Sequence, residues 1–250
     1  MAEQLEKLVQ MIKNAKRCTV FTGAGVSTMS GIRDFRGKNG VYSQPWQGYS
    51  VEEILSLPFF MKDPKIFYAW AKEFCYRLDE FDPNIVHLVL AKMEEKGYIK
   101  GVYTQNIDLL HQKAGSKHVW EIHGSPSSHY CLNCRKNFSY EEIAPLVMRD
   151  ELPKCDKCGG YIKPRIIFYG ENLDTTLLEQ AFEDMERSDL TIVLGSSLTV
   201  QPAASMPLAT FQSGGKVVIV NAQPTPYDMI ATLKFNDLRE VFEYLDKHLF

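Results

Sequence analysis

The chain has 250 residues, 45% of them apolar and 24% charged, a composition typical of globular proteins, and its length suits one large core with a small appended module. A formal net charge of −3 gives no broad positive field for phosphate backbones, so direct nucleic-acid binding is not expected. No apolar run reaches the roughly 18 residues that span a bilayer, and charges interleave the N-terminus where a signal peptide would be apolar, so a cytoplasmic protein with no membrane association is expected.

Leu5, Leu8, Val9 and Ile12 recur at helical spacing and predict a helix over 3–16, followed by a short strand at Cys18–Thr22. The strand runs into Gly23-Ala24-Gly25-Val26-Ser27, which begins like the G-x-G-x-x-G turn of a dinucleotide-binding domain. Glycines here let main-chain N–H groups approach a pyrophosphate; a plain tight turn is the alternative. Thr28 stands where the third glycine belongs, and the region around Tyr42 and Ser43 lacks the acid that would grip a ribose. Residues 51–78 read as helices, with Ile66, Trp70 and Phe74 at steps of four and Pro58 and Pro64 as breaks. A helix after Asp82-Pro83 extends through Glu95, closes at Gly97 and precedes a strand at 99–104.

Residues 124–163 interrupt this rhythm with cysteines, glycines and short polar runs, and read as an insertion. From Arg165 the alternation is regular: strand 165–169, helix 175–186, strand 190–195, a helix after Pro202, strand 216–221, and a terminal helix carrying Leu238, Val241, Phe242 and Leu245. Strands alternating with helices imply a parallel sheet covered on both faces.

Four loops follow apolar strands and carry the polar groups of a crevice. Besides the first glycine turn they are Gln105-Asn106-Ile107-Asp108, Gly195-Ser196-Ser197 and the loop at Asn221, whose amide suits ribose hydroxyls. The 105–108 trio of polar side chains also has the bland reading of a helix cap. His123, between Ile122 and Gly124, falls at the boundary of the insertion, where a cleft is expected, and no serine elbow or nucleophilic cysteine motif competes with it. Cys131-x-x-Cys134 and Cys155-x-x-Cys158, separated by 20 residues, have the spacing of a tetrathiolate zinc ribbon, with two redox dithiols as the alternative. Four thiolates leave no open coordination position, so such a zinc would be structural. Cys18 and Cys75, in apolar surroundings, read as inert core thiols.

The segments GAGVS, GIRDFRG, TQNID, HG, the two cysteine pairs, KPRIIFYGENL, GSSLTVQPA and IVNAQPT, in this order along nearly the whole chain, resemble the sirtuin family of NAD-dependent protein lysine deacylases. The resemblance implies an α/β fold: a Rossmann-like parallel sheet with helices on both faces, plus a small domain made of a zinc ribbon and a helical insertion. The expected division is 1–35, 84–123 and 164–250 for the NAD-binding domain, 36–83 for the helical insertion and cofactor loop, and 124–163 for the zinc module.

By the same resemblance, NAD is consumed as a co-substrate and zinc is structural. Gly23, Ala24, Gly25, Ser27, Thr28, Phe35, Arg36, Gln105, Gly195, Ser196, Ser197 and Asn221 would hold NAD, with Asn106, Ile107 and Asp108 around its nicotinamide. Asp108 would accept from the carboxamide. His123 and Asn106 would be catalytic: the acyl oxygen of the substrate attacks the ribose carbon to give an alkylimidate, and His123 takes a proton from a ribose hydroxyl. The products implied are free lysine, nicotinamide and acyl-ADP-ribose. An acetylated peptide would add as a strand between Gly170, Glu171 and Asn172 and the loop at Val200, with the Ile167 carbonyl meeting the acyl-lysine amide. A monomer is expected.

The family usually has proline where Arg33 stands, which is expected to loosen the cofactor loop, and arginine where Lys163 stands, which is expected to affect local packing alone. Sirtuins that remove acidic acyl groups carry a Tyr-x-x-Arg pair. Here Tyr68 is followed by Ala71, so neutral acyl groups are expected to be preferred. Mono-ADP-ribosyl transfer and a non-enzymatic NAD-sensing scaffold are the competing readings, and intact His123 and Asn106 argue against the scaffold.

Overall fold

A computed structural model of the chain describes residues 2–37 and 40–250. The expected start of the large domain at residue 1, and positions 38 and 39 of the cofactor loop, lie outside the described residues.

Helix α1 (Ala2–Asn14) buries Leu5, Leu8, Val9 and Ile12 along one stripe and leads into β1 (Cys18–Thr22), buried at every position. Helices α2 (Val51–Ile54), α3 (Leu57–Lys62) and α4 (Pro64–Phe74) follow. Pro58 and Pro64 lie in the first turns of α3 and α4, where a missing N–H is harmless, so they start these helices rather than break one. Helix α5 (Ile85–Glu95) begins at a reciprocal cap in which Asn84 accepts from Val86 N–H at 2.9 Å and the His87 ring accepts from Asn84 N–H.

Next come β2 (Val102–Thr104), α6 (Leu110–Lys113) and β3 (Val119–Glu121), then β4 (Gly124–Cys131), β5 (Asn137–Ser139), α7 (Tyr140–Met148) and β6 (Ile162–Ile166). The chain ends with α8 (Thr175–Glu186), β7 (Leu190–Leu194), α9 (Met206–Gln212), β8 (Lys216–Val220), β9 (Ala231–Phe235) and α10 (Leu238–His248).

Six strands form one parallel sheet in the order β3-β2-β1-β7-β8-β9. The chain leaves β1 in one direction to β2 and β3, then returns to β7 on its other side, which makes β1 and β7 a topological switch point. Thr22 is level with Thr104 and Leu194, and Leu194 with Val220. The loops that follow these strands therefore open side by side. Alternate strand residues face two cores: Val20 and Ile192 pack with Leu8, Val86 and Phe242 on one side, and Phe21 and Val193 pack with Ala181, Met185 and Met206 on the other.

A third core joins the 41–76 helices to the cysteine-bearing segment through Phe60, Phe67, Trp70, Ile162 and Phe168. Strands β5-β4-β6 form its antiparallel sheet. This corrects the expectation that residues 165–169 add a strand to the parallel sheet. Their apolar run fits either environment, and pairing with β4, which sets Cys131 opposite Ile162, decides for the small one. Strands β3 and β9 extend the large sheet beyond what the sequence predicted. Each is short, and in β9 only Leu233 and Phe235 are buried. Among the described residues, no helix is long and apolar enough to cross a membrane.

Candidate active site

A cleft of about 880 Å³ separates the carboxyl ends of the parallel strands from the small antiparallel unit, a size within the range of cofactor sites. From the strand ends it is lined by Gly23, Ala24, Gly25 and Thr28, by Gln105, Asn106 and Ile107, by Gly195, Ser196 and Ser197, and by Asn221. Phe35, Arg36 and His123 join them, and Ile167, Gly170, Glu171, Asn172 and Val200 complete the expected set. Ser27 and Asp108 do not line it. The structure places them behind Asn106: the Ser27 hydroxyl donates to Asp108 Oδ2 at 2.6 Å, and Asp108 Oδ1 accepts from Leu110 N–H, the first residue of α6, at 3.0 Å. Burial raises the Asp108 pKa, with these bonds acting in the opposite direction.

The first glycine turn is shaped by contact with another loop. Gly25 N–H donates to the Gly195 carbonyl at 2.8 Å, and a Cβ on Gly23 would lie 2.7 Å from that same oxygen, one on Gly25 2.8 Å from Gly195 Cα. The two loops can meet only backbone to backbone. That approach uses the Gly25 N–H, while the Val26 N–H donates to the Gly23 carbonyl at 3.2 Å, and it sets Ala24 and Thr28 on the cleft wall.

Gln105 and Asn106 are held rather than free. Gln105 Nε2 donates to Ser196 Oγ at 2.8 Å, and Asn106 Nδ2 donates to the Gly23 carbonyl at 3.1 Å and to Ser27 Oγ at 3.3 Å. With its donors committed, Asn106 keeps its amide oxygen for a ligand. At the far strand Asn221 Nδ2 donates to the Gln223 carbonyl at 2.9 Å. Below the floor, Thr22 bonds His111 Nε2 at 3.0 Å and the His87 and His111 rings sit 4.8 Å apart. Burial lowers their pKa values to about 4 and about 3, so both are neutral.

His123 follows β3 and precedes β4, at the junction of the two sheets. Its Nδ1 lies 3.2 Å from the Gln105 carbonyl. That acceptor assigns the proton to Nδ1 and leaves Nε2 with its lone pair. Burial lowers the His123 pKa; the Gln105 carbonyl opposes the shift and Arg36 adds to it.

The loop carrying Phe35 and Arg36 is closed on itself and on the opposite wall. Arg33 donates to the Gly40 carbonyl at 3.2 Å, and Val41 and Tyr42 N–H groups donate to Asp34 and Phe35 carbonyls at 2.7 and 3.0 Å. Arg33 thus ties the loop across its width rather than loosening it. Tyr42 OH meets Tyr169 OH at 3.0 Å, and the Arg36 guanidinium donates to Tyr169 OH at 3.3 Å while lying over the Tyr42 ring.

Cys131, Cys134, Cys155 and Cys158 bring their sulfurs within 4.8 Å of one another. Cys131 and Cys158 are 3.5 Å apart and Cys134 and Cys155 3.6 Å, near the ~3.8 Å sulfur separation of a tetrahedral site with 2.3 Å zinc–sulfur bonds. The donor set fits zinc with no position left open. Gly160 carries no side chain because a Cβ there would lie 2.9 Å from the Cys131 sulfur. Cys18 and Cys75 are buried apart from this cluster, and burial raises both thiol pKa values.

A model of the Sir2 family matches residues 23–202, from the first glycine turn to Pro202 beyond the Gly195–Ser197 loop. The chain belongs to the Sir2 family. It is 46% identical to an NAD-dependent protein deacetylase of Thermotoga maritima, over 93% of each chain, and 40% identical to NAD-dependent protein deacylase 2 of Archaeoglobus fulgidus, over 94% of this chain and 91% of that one. Its fold superposes on a solved structure of Sir2 with a p53 peptide and NAD+ at a TM-score of 0.88 and 42% identity, covering 97% and 98% of the two chains. A Sir2Tm structure bound to a propionylated peptide gives 0.86, again at 42% identity, covering 97% and 98%.

Within this Sir2-family cleft the sequence missed Tyr42, Leu55, Phe168 and Tyr169 on the small-unit side and Asn236–Arg239 on the other. The last group follows β9, so overlooking that strand hid its loop; the alternation in Ala231–Phe235 was the available signal. Leu55 reaches the cleft through the Tyr169 N–H, which donates to its carbonyl at 2.8 Å, a long-range pairing with no local signature.

Proposed function

We propose that the protein is an NAD-dependent protein lysine deacetylase that transfers the acetyl group of acetyl-lysine to ADP-ribose and releases nicotinamide. The observation that carries this reading is His123: a neutral imidazole with Nε2 free, in a cleft with the glycine turns on one wall and Ile167–Asn172 on the other. NAD supplies, when bound, an electrophilic ribose carbon and nicotinamide as its leaving group. The residues present fit it: the Gly23–Gly25 turn, whose glycines let a pyrophosphate approach the main chain at Ala24, Ser196 and Asn221 for hydroxyls, and Asn106 with Ile107 for the nicotinamide end.

His123 Nε2 accepts a proton from a ribose hydroxyl as that oxygen becomes the nucleophile, and the Gln105 carbonyl stabilises the imidazolium that forms. Asn106 orients the nicotinamide-ribose through its amide oxygen. Asp108 reaches the carboxamide only through the groups in front of it or after its bond from Ser27 is exchanged. Phe35, held 5.2 Å from the Tyr42 ring, covers the reacting carbon and keeps water out.

The acetylated peptide binds along Gly170–Asn172 and the Val200 loop, and the Ile167 carbonyl receives the acyl-lysine amide. Because the Val200 carbonyl already accepts from Ala204 N–H at 2.9 Å, the added strand pairs chiefly with the Gly170–Asn172 side. All these groups belong to one chain, so a monomer suffices. A net charge of −3 favours protein over nucleic acid as substrate, and free cysteines suit the reducing cytoplasm.

Incubation with an acetyl-lysine peptide should release nicotinamide only when peptide and NAD are both present, one for each lysine freed. Nicotinamide released at the same rate without peptide, or none released at all, would refute the reading.

A further inference from the structure

Lys163 is expected from the sequence to affect local packing alone. The structure gives it a larger place. Its side chain is 1% exposed, and Nζ donates to the Ile166 carbonyl at 2.7 Å, the Pro164 carbonyl at 3.1 Å and Glu171 Oε2 at 2.8 Å. The three donors of an ammonium are thereby all used. Nζ also lies 3.8 Å from the centre of the Phe168 ring, a further offset to its desolvation. Glu171 Oε2 in turn accepts the Phe168 N–H at 2.8 Å.

These bonds trace one wall of the cleft. Ile166, Phe168 and Glu171 are fixed by the ammonium or by the carboxylate it holds, and Ile167 is stretched between them with its N–H on the His123 carbonyl at 2.8 Å. Residues 166–172 all line the cleft, whereas Lys163 does not. Removing the ammonium would leave two buried carbonyls and a carboxylate without their partner, and the wall would move to find new ones.

We propose that Lys163 is a positioning residue for the acyl-lysine peptide. It curves Ile166–Glu171 into the conformation that presents the Ile167 carbonyl and the Gly170–Asn172 edge, and it touches neither substrate. The NAD wall, built from the strand-end loops, does not depend on it. This rests on the reading of residues 167–172 as the peptide site.

The test is steady-state deacetylation by wild type, Lys163→Met, Lys163→Arg and Glu171→Gln, varying peptide at saturating NAD and NAD at saturating peptide, with zinc content and melting recorded. Lys163→Met should raise the peptide KM about 10-fold or more while the NAD KM changes less than about 2-fold, the split expected when only one substrate's contacts are lost. Lys163→Arg, which keeps the charge, should stay within about 3-fold of wild type for the peptide. If Lys163→Met does not fold, Glu171→Gln, which conserves shape at a partly exposed site, should raise the peptide KM about 3-fold or more with the NAD KM unchanged. An unchanged peptide KM in the folded variant, or peptide and NAD KM values rising together, overturns the proposal. A wild type that deacetylates no peptide overturns the site reading, and the proposal with it.

Discussion

The main-chain N–H of Ile167 donates to the carbonyl of His123 at 2.8 Å, so the residue assigned the proton and the residue assigned the acyl-lysine are hydrogen-bonded neighbours. The bond joins the end of β6 to the start of β4, and it uses main-chain atoms only. Side-chain changes at His123 can therefore remove the base without releasing the wall that binds peptide.

Replacing His123 with Ala should lower kcat by roughly 10²-fold or more, the scale of a lost general base, while zinc content and the melting temperature stay near wild type. Turnover within a few-fold of wild type would remove His123 from its role.

The pH dependence follows from the direction of the His123 shift. Burial lowers its pKa below the ordinary imidazole value near 6.5, so the neutral base persists at pH values where a free imidazole is already protonated. The acidic limb of kcat/KM should fall below pH 6.5. Arg36, which adds to the shift, should move that limb upward when replaced by Gln. A limb at or above 6.5 in wild type would mean that another group titrates or that the imidazole is solvated.

Loss of Cys131 or Cys155 as Ser should abolish stoichiometric zinc and lower the melting temperature, because metal binding here is folding free energy. Activity should fall as well: Cys131 is paired with Ile162, and the same strand continues to Ile166 in the cleft. Zinc-free protein with unchanged melting would contradict a structural tetrathiolate site.

Acetyl is expected to be preferred over succinyl, on different residues from those the sequence suggested. Tyr68 OH donates to the Ile162 carbonyl at 2.7 Å, and neither Tyr68 nor Ala71 lines the cleft. Among the described lining residues the cations are Arg36 and Arg239. Arg36 is engaged with the Tyr42–Tyr169 pair, and Lys163, behind Phe168, is taken by Glu171. An unpaired buried carboxylate would lose about 2 to 5 kcal/mol, roughly 30-fold to several thousand-fold in kcat/KM. Comparable kcat/KM on matched acetyl and succinyl peptides would show that one of these cations turns into the acyl pocket.

How far the sequence carried the site depends on where each bond partner lies along the chain. Gly23, Gln105, Gly195 and Asn221 were legible because each follows an apolar strand, and a parallel sheet forces such ends together. The cysteines were legible from spacing alone. The reason for the glycines was not: Gly23 and Gly25 face Gly195, some 170 residues away in the chain, and only the β1–β7 register brings them into contact. Asp108 was assigned to the carboxamide by the family resemblance, and its bonds to Ser27 and Leu110 had no local signal in the sequence. Lys163 looked like a packing variant because its bonds to Ile166 and Glu171 depend on the bend of the chain after β6.

Product analysis by mass spectrometry separates acetyl transfer to ADP-ribose from simple hydrolysis and from ADP-ribosylation. With acetyl-lysine peptide and NAD, the expected products are deacetylated peptide, nicotinamide and O-acetyl-ADP-ribose in equal amounts. Free acetate as the primary product, or a peptide that keeps its acetyl group and gains an ADP-ribose, would contradict it.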